Sequence, residues 1–293
     1  MSEAVPTAPA SRVTALVVTA DSGDSLHACV KGLLASPCID AVRVADNASC
    51  DGVPTAVAAS FAGDARFSLT VNPANLGFGA AMNRLARGCA TPWLLLVNPD
   101  CRIEPEALSV LLALGEAHPD AGIIGACVED DDGRVDPASC RRDPTLARVA
   151  ASLGLRRGET VEATIDRAAE VQSIEAVSGA LMLVRRVYFD ALGGFDEGYF
   201  LHFEDLDLCR RMRDAGHAVL LAPHVSVRHY KGSSSRHRPV FVDWHKHRGL
   251  WRWLRTFDPA MRNPLLAACV RGAIWLHFAA NVPRLLLRRT LHR

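Results

Sequence analysis

The sequence predicts an α/β fold built on a largely parallel sheet. Three observations carry that prediction. Short apolar, β-branched runs of strand length recur through the first half of the chain. Patterns at helical spacing separate them. The alternation keeps βαβ spacing from Val13 to Val128.

Taken in order, VTALVVT (Val13–Thr19) reads as a buried strand by length and residue type, and Leu26, Val30, Leu33 and Leu34 follow at helical spacing. AVRVAD (Ala41–Asp46) and FSLTVN (Phe67–Asn72) read as the second and third strands. FGAAMNRLARGCA (Phe78–Ala90) reads as a helix and WLLLVN (Trp93–Asn98) as the fourth strand. A helix over Glu104–Glu116 opens on Glu104-Pro105, where the missing proline N–H costs nothing. GIIGACV (Gly122–Val128) is a further strand. From Glu129 to about Glu170 the pattern loosens into charged and Pro/Gly-containing stretches, expected to form a variable excursion. Order returns over Val177–Pro223 with a strand, a short helix, a Gly-Gly turn, an acidic helix start and a strand at His217–Leu221. A strand-like piece then ends at His229.

Composition sets the organisation. The 293 residues are 49% hydrophobic and 22% charged, enough for a sizeable core. The net charge of +1 hides an asymmetry: from Arg228 onward there are 14 Lys and Arg against 2 Asp and Glu, and the rest of the chain has 19 against 30. A basic segment on an acidic body points to an anionic partner, either phospholipid head groups or nucleic acid. Trp244, Trp251 and Trp253 interleave with Lys246, Arg248, Arg252 and Arg255, a mixture that suits a membrane interface better than nucleic acid. Leu265–Val282 is the most apolar late stretch, but Arg271 and His277 interrupt it, so it is not expected to span a bilayer. The nine cysteines show no CxxC pair and no zinc spacing, and read as reduced thiols of a cytosolic protein. MSEAVPTAPASR has neither the basic n-region nor the apolar h-region of a signal peptide. The expected division is a flexible lead-in over 1–12, one α/β unit over 13–235 and a basic amphipathic helical tail over 236–293.

In open α/β sheets ligands bind beyond the C-terminal ends of the strands. There the sequence puts Asp21 after the first strand, Asp46 at the end of the second and Asn98-Pro99-Asp100 after the fourth. Any one of these could be only a turn residue; three together make a polar rim. GxGxxG after the first strand and GxxxxGK[ST] are both absent, which argues against a dinucleotide site and a P-loop. NLGFGAAMN brings Asn75 and Gly77 to a helix start that is able to face phosphate. FLHFEDLDLCRRMRDAG puts Glu204, Asp205 and Asp207 within four residues. Acidic residues there favour a helix N-terminus, but one carboxylate of the Glu204-Asp205 pair can also face a cleft as a general base while its neighbour holds the loop. His229 and Asp100 can share one divalent ion, with diphosphate oxygens and water completing the shell.

Together ADNASCDG, NLGFGAAMN, VNPDC, VSGALMLVRR, GGFDEGYFLHFEDLDLCRRMRDAG and HYKGSSS resemble the inverting family 2 glycosyltransferases with the GT-A fold, in the same order and over about Val13 to Ser235. Within that family the chain is most similar to rhamnosyltransferases that extend polyprenyl-diphosphate-linked sugars. The resemblance implies a nucleotide-diphosphate sugar donor, dTDP-L-rhamnose by preference. Asp46 is then against the nucleotide base, with Asp21, Asn75, Gly77 and Asn98 along the donor. Asp100 is implied to bind Mg²⁺ or Mn²⁺ with His229 near it. Asp205, paired with Glu204, is implied as the base that deprotonates the acceptor. Asn98 stands where the family's DxD motif begins with Asp, which leaves the metal fewer anionic ligands. The implied acceptor is a polyprenyl-diphosphate-linked glycan, the implied location the inner face of the cytoplasmic membrane, and no nucleic-acid partner is expected. Two other readings fit the residues: a catalytically silent GT-A-like module that binds a nucleotide sugar or scaffolds an assembly, and a nucleic-acid-binding protein using the basic tail.

Overall fold

The structure is a computed structural model that describes residues 12–230 and 238–291. The lead-in, apart from Arg12, and the small-residue loop at Lys231–Ser235 lie outside the described residues.

Among the described residues, nine strands form one sheet. They are β1 (Val13–Thr19), β2 (Ile39–Asp46), β3 (Phe67–Val71), β4 (Trp93–Val97), β5 (Cys101–Arg102), β6 (Ala121–Glu129), β7 (Gln172–Ser173), β8 (Leu181–Arg185) and β9 (Ala218–His229). Their order is β3-β2-β1-β4-β8-β6-β9-β5, with β7 beside β9. Parallel pairing joins β3, β2, β1 and β4, and also β6 and β9. The antiparallel β8 is inserted between β4 and β6, so those six strands still share one direction. The sheet is therefore largely parallel, as the βαβ spacing predicts.

The helices are α1 (Ser25–Ala35), α2 (Val53–Ser60), α3 (Phe78–Ala86), α4 (Pro105–Ala117), α5 (Leu146–Ser152), α6 (Arg186–Ala191), α7 (Glu204–Asp214), α8 (Pro239–Phe257) and α9 (Pro264–Leu291). The continuous apolar runs of β1 and β4 follow from burial on both faces. Val13, Ala15, Val17, Trp93, Leu95 and Val97 join one core with α1 and α4. Leu16, Val18, Leu94 and Leu96 join the other with α3, α7 and α8. Alternate strand residues thus feed opposite layers, and the result is a three-layer sandwich. In α1 the buried set Leu26, Cys29, Val30, Leu33 and Leu34 is the 3.6-residue stripe that forms the helix's inner face.

Two regions depart from the sequence reading. The Glu129–Glu170 excursion is tied down: Arg141 bridges to Glu162 and Ala176, and α5 is capped by Thr145 Oγ1 on the Arg148 amide. The C-terminal stretch is not too interrupted to span. Pro264–Leu287 is long and apolar enough, by length and composition alone, to cross a membrane, with mean hydropathy 1.5 over its most apolar window. Of the four polar residues in this stretch, Arg271, His277, Asn281 and Arg284, the first two turn toward α8, with Arg271 over the Trp251 ring and His277 Nδ1 2.9 Å from His247 Nε2. In contrast, α8 buries Trp253 and Leu254 in the core, so the first tail helix is part of the folded body.

Candidate active site

The C-terminal ends of β1, β2 and β4 open on one edge of the sheet, and loops from α3 and α7 close over them. Asp46 ends β2 and is buried; its Oδ1 accepts the Ser49 amide at 2.9 Å. Asp21, held at φ 53°, accepts the Cys50 amide at 2.6 Å and donates its own amide to Ser49 Oγ. The structure therefore brings Asp21 and Asp46 together through the Ala48–Cys50 turn. Asn75 Oδ1 accepts the Gly77 amide at 2.9 Å, and this Asx turn aims the N-terminus of α3 at the same edge. Gly77 has φ 85°, and a Cβ there would lie 2.6 Å from the Phe200 carbonyl oxygen, so only glycine lets the two loops meet.

Asn47 was not among the site residues that the sequence singles out, yet it braces this corner. It is buried, donates to the Gly77 carbonyl at 3.1 Å and accepts from Asn72 at 2.8 Å. Its only sequence signal is its place beside Asp46.

The fourth strand end is coupled to α7 through a single dipeptide. The Asn98 amide donates to the Ala180 carbonyl at 2.9 Å, and the adjacent Gly179 amide donates to Asp205 Oδ2 at 2.9 Å. A Cβ at Gly179 would sit 3.0 Å from Asp205 Cβ, so the approach depends on the missing side chain. Beyond Asn98, Asp100 Oδ1 and His229 Nε2 are 3.0 Å apart. The pairing of β5 with β9 sets this contact, with Cys101 opposite His229 and the Tyr230 amide on the Asp100 carbonyl. His229 Nδ1 is buried with no hydrogen-bond partner. One carboxylate and one imidazole converging in this way fit a divalent cation whose other ligands are diphosphate oxygens and water, and the imidazole suits Mn²⁺ better than Mg²⁺.

At the start of α7 the chain passes through two left-handed non-glycine residues, His202 (φ 64°) and Phe203 (φ 73°). Such strain is held by its surroundings and clusters at functional sites. It delivers Glu204 and Asp205 to the first helical turn, both buried. Asp205 Oδ1 accepts the Leu206 amide at 2.8 Å, and Oδ2 accepts Arg141 at 2.6 Å as well as Gly179. Burial works to raise the Asp205 carboxyl, but the Arg141 guanidinium and these hydrogen bonds outweigh it and hold Asp205 below the usual carboxylate range. Glu204 goes the other way. Burial, then the charge of Asp205, push it up to about 8, and its Oε2 has no hydrogen-bond partner. The surroundings thus drive the two carboxyls apart, favouring the proton on Glu204 and the charge on Asp205. Asp207, the third acidic residue, is tied to Arg211 at 2.6 Å and belongs to the helix.

His202 is pushed down to about 4 by burial and then by the positive charge of Lys246, so it is a neutral imidazole with an unpartnered Nε2 beside the pair. Sequence reasoning missed both Arg141 and His202. Arg141 stands in the excursion, where no periodic pattern flags a residue.

A cavity of about 610 Å³ lies beside α5 and α7 and is lined by none of these site residues. Its Arg148, Arg210 and Arg213 are already paired with Glu175 and Asp143.

The chain as a whole is matched by known proteins. A family model described as Glycosyltransferase like family 2 matches residues 9–249. The chain belongs to that family. It is a glycosyltransferase, and the α/β sandwich around its strand ends is the GT-A fold. The N-acetylglucosaminyl-diphospho-decaprenol L-rhamnosyltransferase of Mycobacterium tuberculosis is 33% identical over 257 residues, covering 77% of this chain and 82% of that protein. The rhamnosyltransferase WbbL of Escherichia coli is 28% identical over 146 residues, 49% of this glycosyltransferase and 54% of the relative. Among solved structures, the mannosyltransferase PcManGT from Pyrobaculum calidifontis, in complex with GDP-Man and Mn²⁺, superposes with a TM-score of 0.60 at 18% identity. That match covers 96% of this chain and 73% of the other, and it shows the shared fold.

Proposed function

We propose that this glycosyltransferase moves L-rhamnose from dTDP-rhamnose to a hydroxyl of an N-acetylglucosaminyl-diphosphoryl-polyprenol acceptor, with inversion, at the inner face of the cytoplasmic membrane. The choice of substrates rests on the likeness to the mycobacterial rhamnosyltransferase. The observation that carries the chemistry is the Gly179–Ala180 link, which ties the ionised Asp205 to the strand end that presents Asn98 and Asp100.

Asp21, Asp46 and the Asn75–Gly77 turn form the nucleotide side of the cleft. Asp100 and His229 would hold Mg²⁺ or Mn²⁺, which would supply positive charge to offset that of the diphosphate leaving group. Asp205 is the proton acceptor, because Glu204 already holds the pair's proton. Arg141 and the Gly179 amide fix the orientation of the carboxylate. As the acceptor oxygen bonds to the anomeric carbon, Asp205 takes the hydroxyl proton and the bond from that carbon to the diphosphate oxygen breaks. The nucleotide diphosphate leaves with the electron pair. A single displacement from the opposite face inverts the configuration and needs no protein nucleophile.

The acceptor's lipid places the reaction at a membrane surface, and the basic tail suits that place. α9 exposes Leu265, Leu276 and Leu287, each eleven residues from the next and so on one helical face.

The test is transfer by the full chain in detergent, with Mg²⁺ or Mn²⁺, a panel of nucleotide sugars and an N-acetylglucosaminyl-diphosphoryl-lipid acceptor. Product mass should rise by one deoxyhexose with dTDP-rhamnose alone, and EDTA should abolish the gain. A different donor accepted in its place would overturn the choice of sugar.

A further inference from the structure

The proposed cation site also contains a sulfur atom that the transfer reaction does not use. Asp100, Cys101 and His229 each present a ligand atom within 4.8 Å of the other two. Pairing of β5 with β9 puts Cys101 directly across from His229, so their side chains share one face of the ladder. Beside them is a cavity of about 250 Å³ that Asp24, Cys29, Asp100 and Cys101 help to line. The cavity gives solvent-sized access to the Asp100 and Cys101 side of the cluster. Burial as a small apolar residue accounts for Cys101 being inside; it does not account for convergence with a carboxylate and an imidazole.

The donor set decides which ion belongs there. Mg²⁺ takes oxygen ligands and gains nothing from sulfur. Thiolate, imidazole and carboxylate together are a set that zinc prefers. We propose that Asp100, Cys101 and His229 form a thiolate–imidazole–carboxylate site that binds Zn²⁺ more tightly than Mg²⁺ or Mn²⁺. As the sulfur–zinc bond forms, the Cys101 proton passes to solvent, and no oxidant or reductant takes part. Zinc held there occupies Asp100 and His229, so it inhibits sugar transfer. That consequence rests on the functional reading above; the binding itself does not.

Cobalt reports the site directly, because a thiolate–cobalt bond gives a near-ultraviolet charge-transfer band. The full chain in detergent, stripped with EDTA and kept reduced, is titrated with Co²⁺. The band should saturate at one ion per chain, disappear on adding Zn²⁺ and survive a large excess of Mg²⁺. Cys101→Ser should lose the band and bind Co²⁺ roughly 100-fold more weakly. Cys269→Ser, an exposed thiol on α9, should leave it unchanged. Wild-type protein without a band overturns the proposal, whatever the variants do. So does a band that persists in Cys101→Ser protein of unchanged melting temperature. Protein that shows the band yet transfers no sugar contradicts the functional reading and keeps the zinc site; transfer with Mg²⁺ and no band does the reverse.

Discussion

At the residue scale the fold has separated two adjacent carboxylates into different states. Glu204 is raised from an ordinary value of 4.5 to about 8, so the folded protein holds a proton that the unfolded chain releases. Its contribution to stability is complete below its unfolded value and is lost as pH rises through about 8. Glu204→Gln mimics the protonated form and removes this dependence. The melting temperature of the variant should therefore gain on wild type between about pH 4.5 and about pH 8 and then level off. Parallel curves would show that Glu204 is ionised in the folded state. The Glu-Asp pair was legible in the sequence as a charged helix start beside aromatic residues, and so was the idea that its two members divide the work. Which of them keeps the proton was not legible. That depends on Arg141, 64 positions earlier, which meets Asp205 only after folding. Spacing carries no trace of a contact made across a loop of irregular conformation.

At the scale of elements, strands and helices with strong periodicity were readable because burial on both faces, or on one helical stripe, leaves its own pattern. β1 and α1 stand where the apolar runs put them. α5 did not show, since a seven-residue helix held by the Thr145 cap and by packing has too few turns to display a period. α9 was misjudged for a different reason. Two interruptions in an apolar stretch say little until the faces they occupy are known, and here both turn toward α8. The meeting of the α3 and α7 loops is also an element-scale feature, and it hangs on Gly77. Gly77→Ala forces a Cβ against the Phe200 carbonyl at positive φ, so it should cost about 1–3 kcal/mol in urea unfolding. It should also weaken donor-induced thermal stabilisation more than it weakens folding. A neutral Gly77→Ala would show that the two loops do not need to touch.

Over the whole molecule, a sandwich with an acidic catalytic edge carries a basic, aromatic arm. α8 belongs to the core and α9 leaves most of its surface uncovered, with 6% of its most apolar window buried. The proposed function puts this arm toward anionic lipid. Binding to anionic vesicles should fall as salt is raised. Leu276→Asp, on the exposed face of α9, should weaken it about tenfold or more, from the roughly 1.5–3 kcal/mol that a leucine side chain gains on leaving water. Turnover on a short-chain acceptor in detergent should stay unchanged, and sedimentation with vesicles separates the two effects. Sequence composition exposed the charge asymmetry at once, but not that the arm divides into one buried helix and one bare one. The central claim, that the ionised Asp205 takes the acceptor proton, is tested most directly by Asp205→Asn. Transfer rate and donor-induced thermal stabilisation are measured on the same preparation. The account predicts turnover lower by about 10²–10⁴-fold with donor binding retained. Turnover within a few-fold of wild type would contradict it and pass the role to another group.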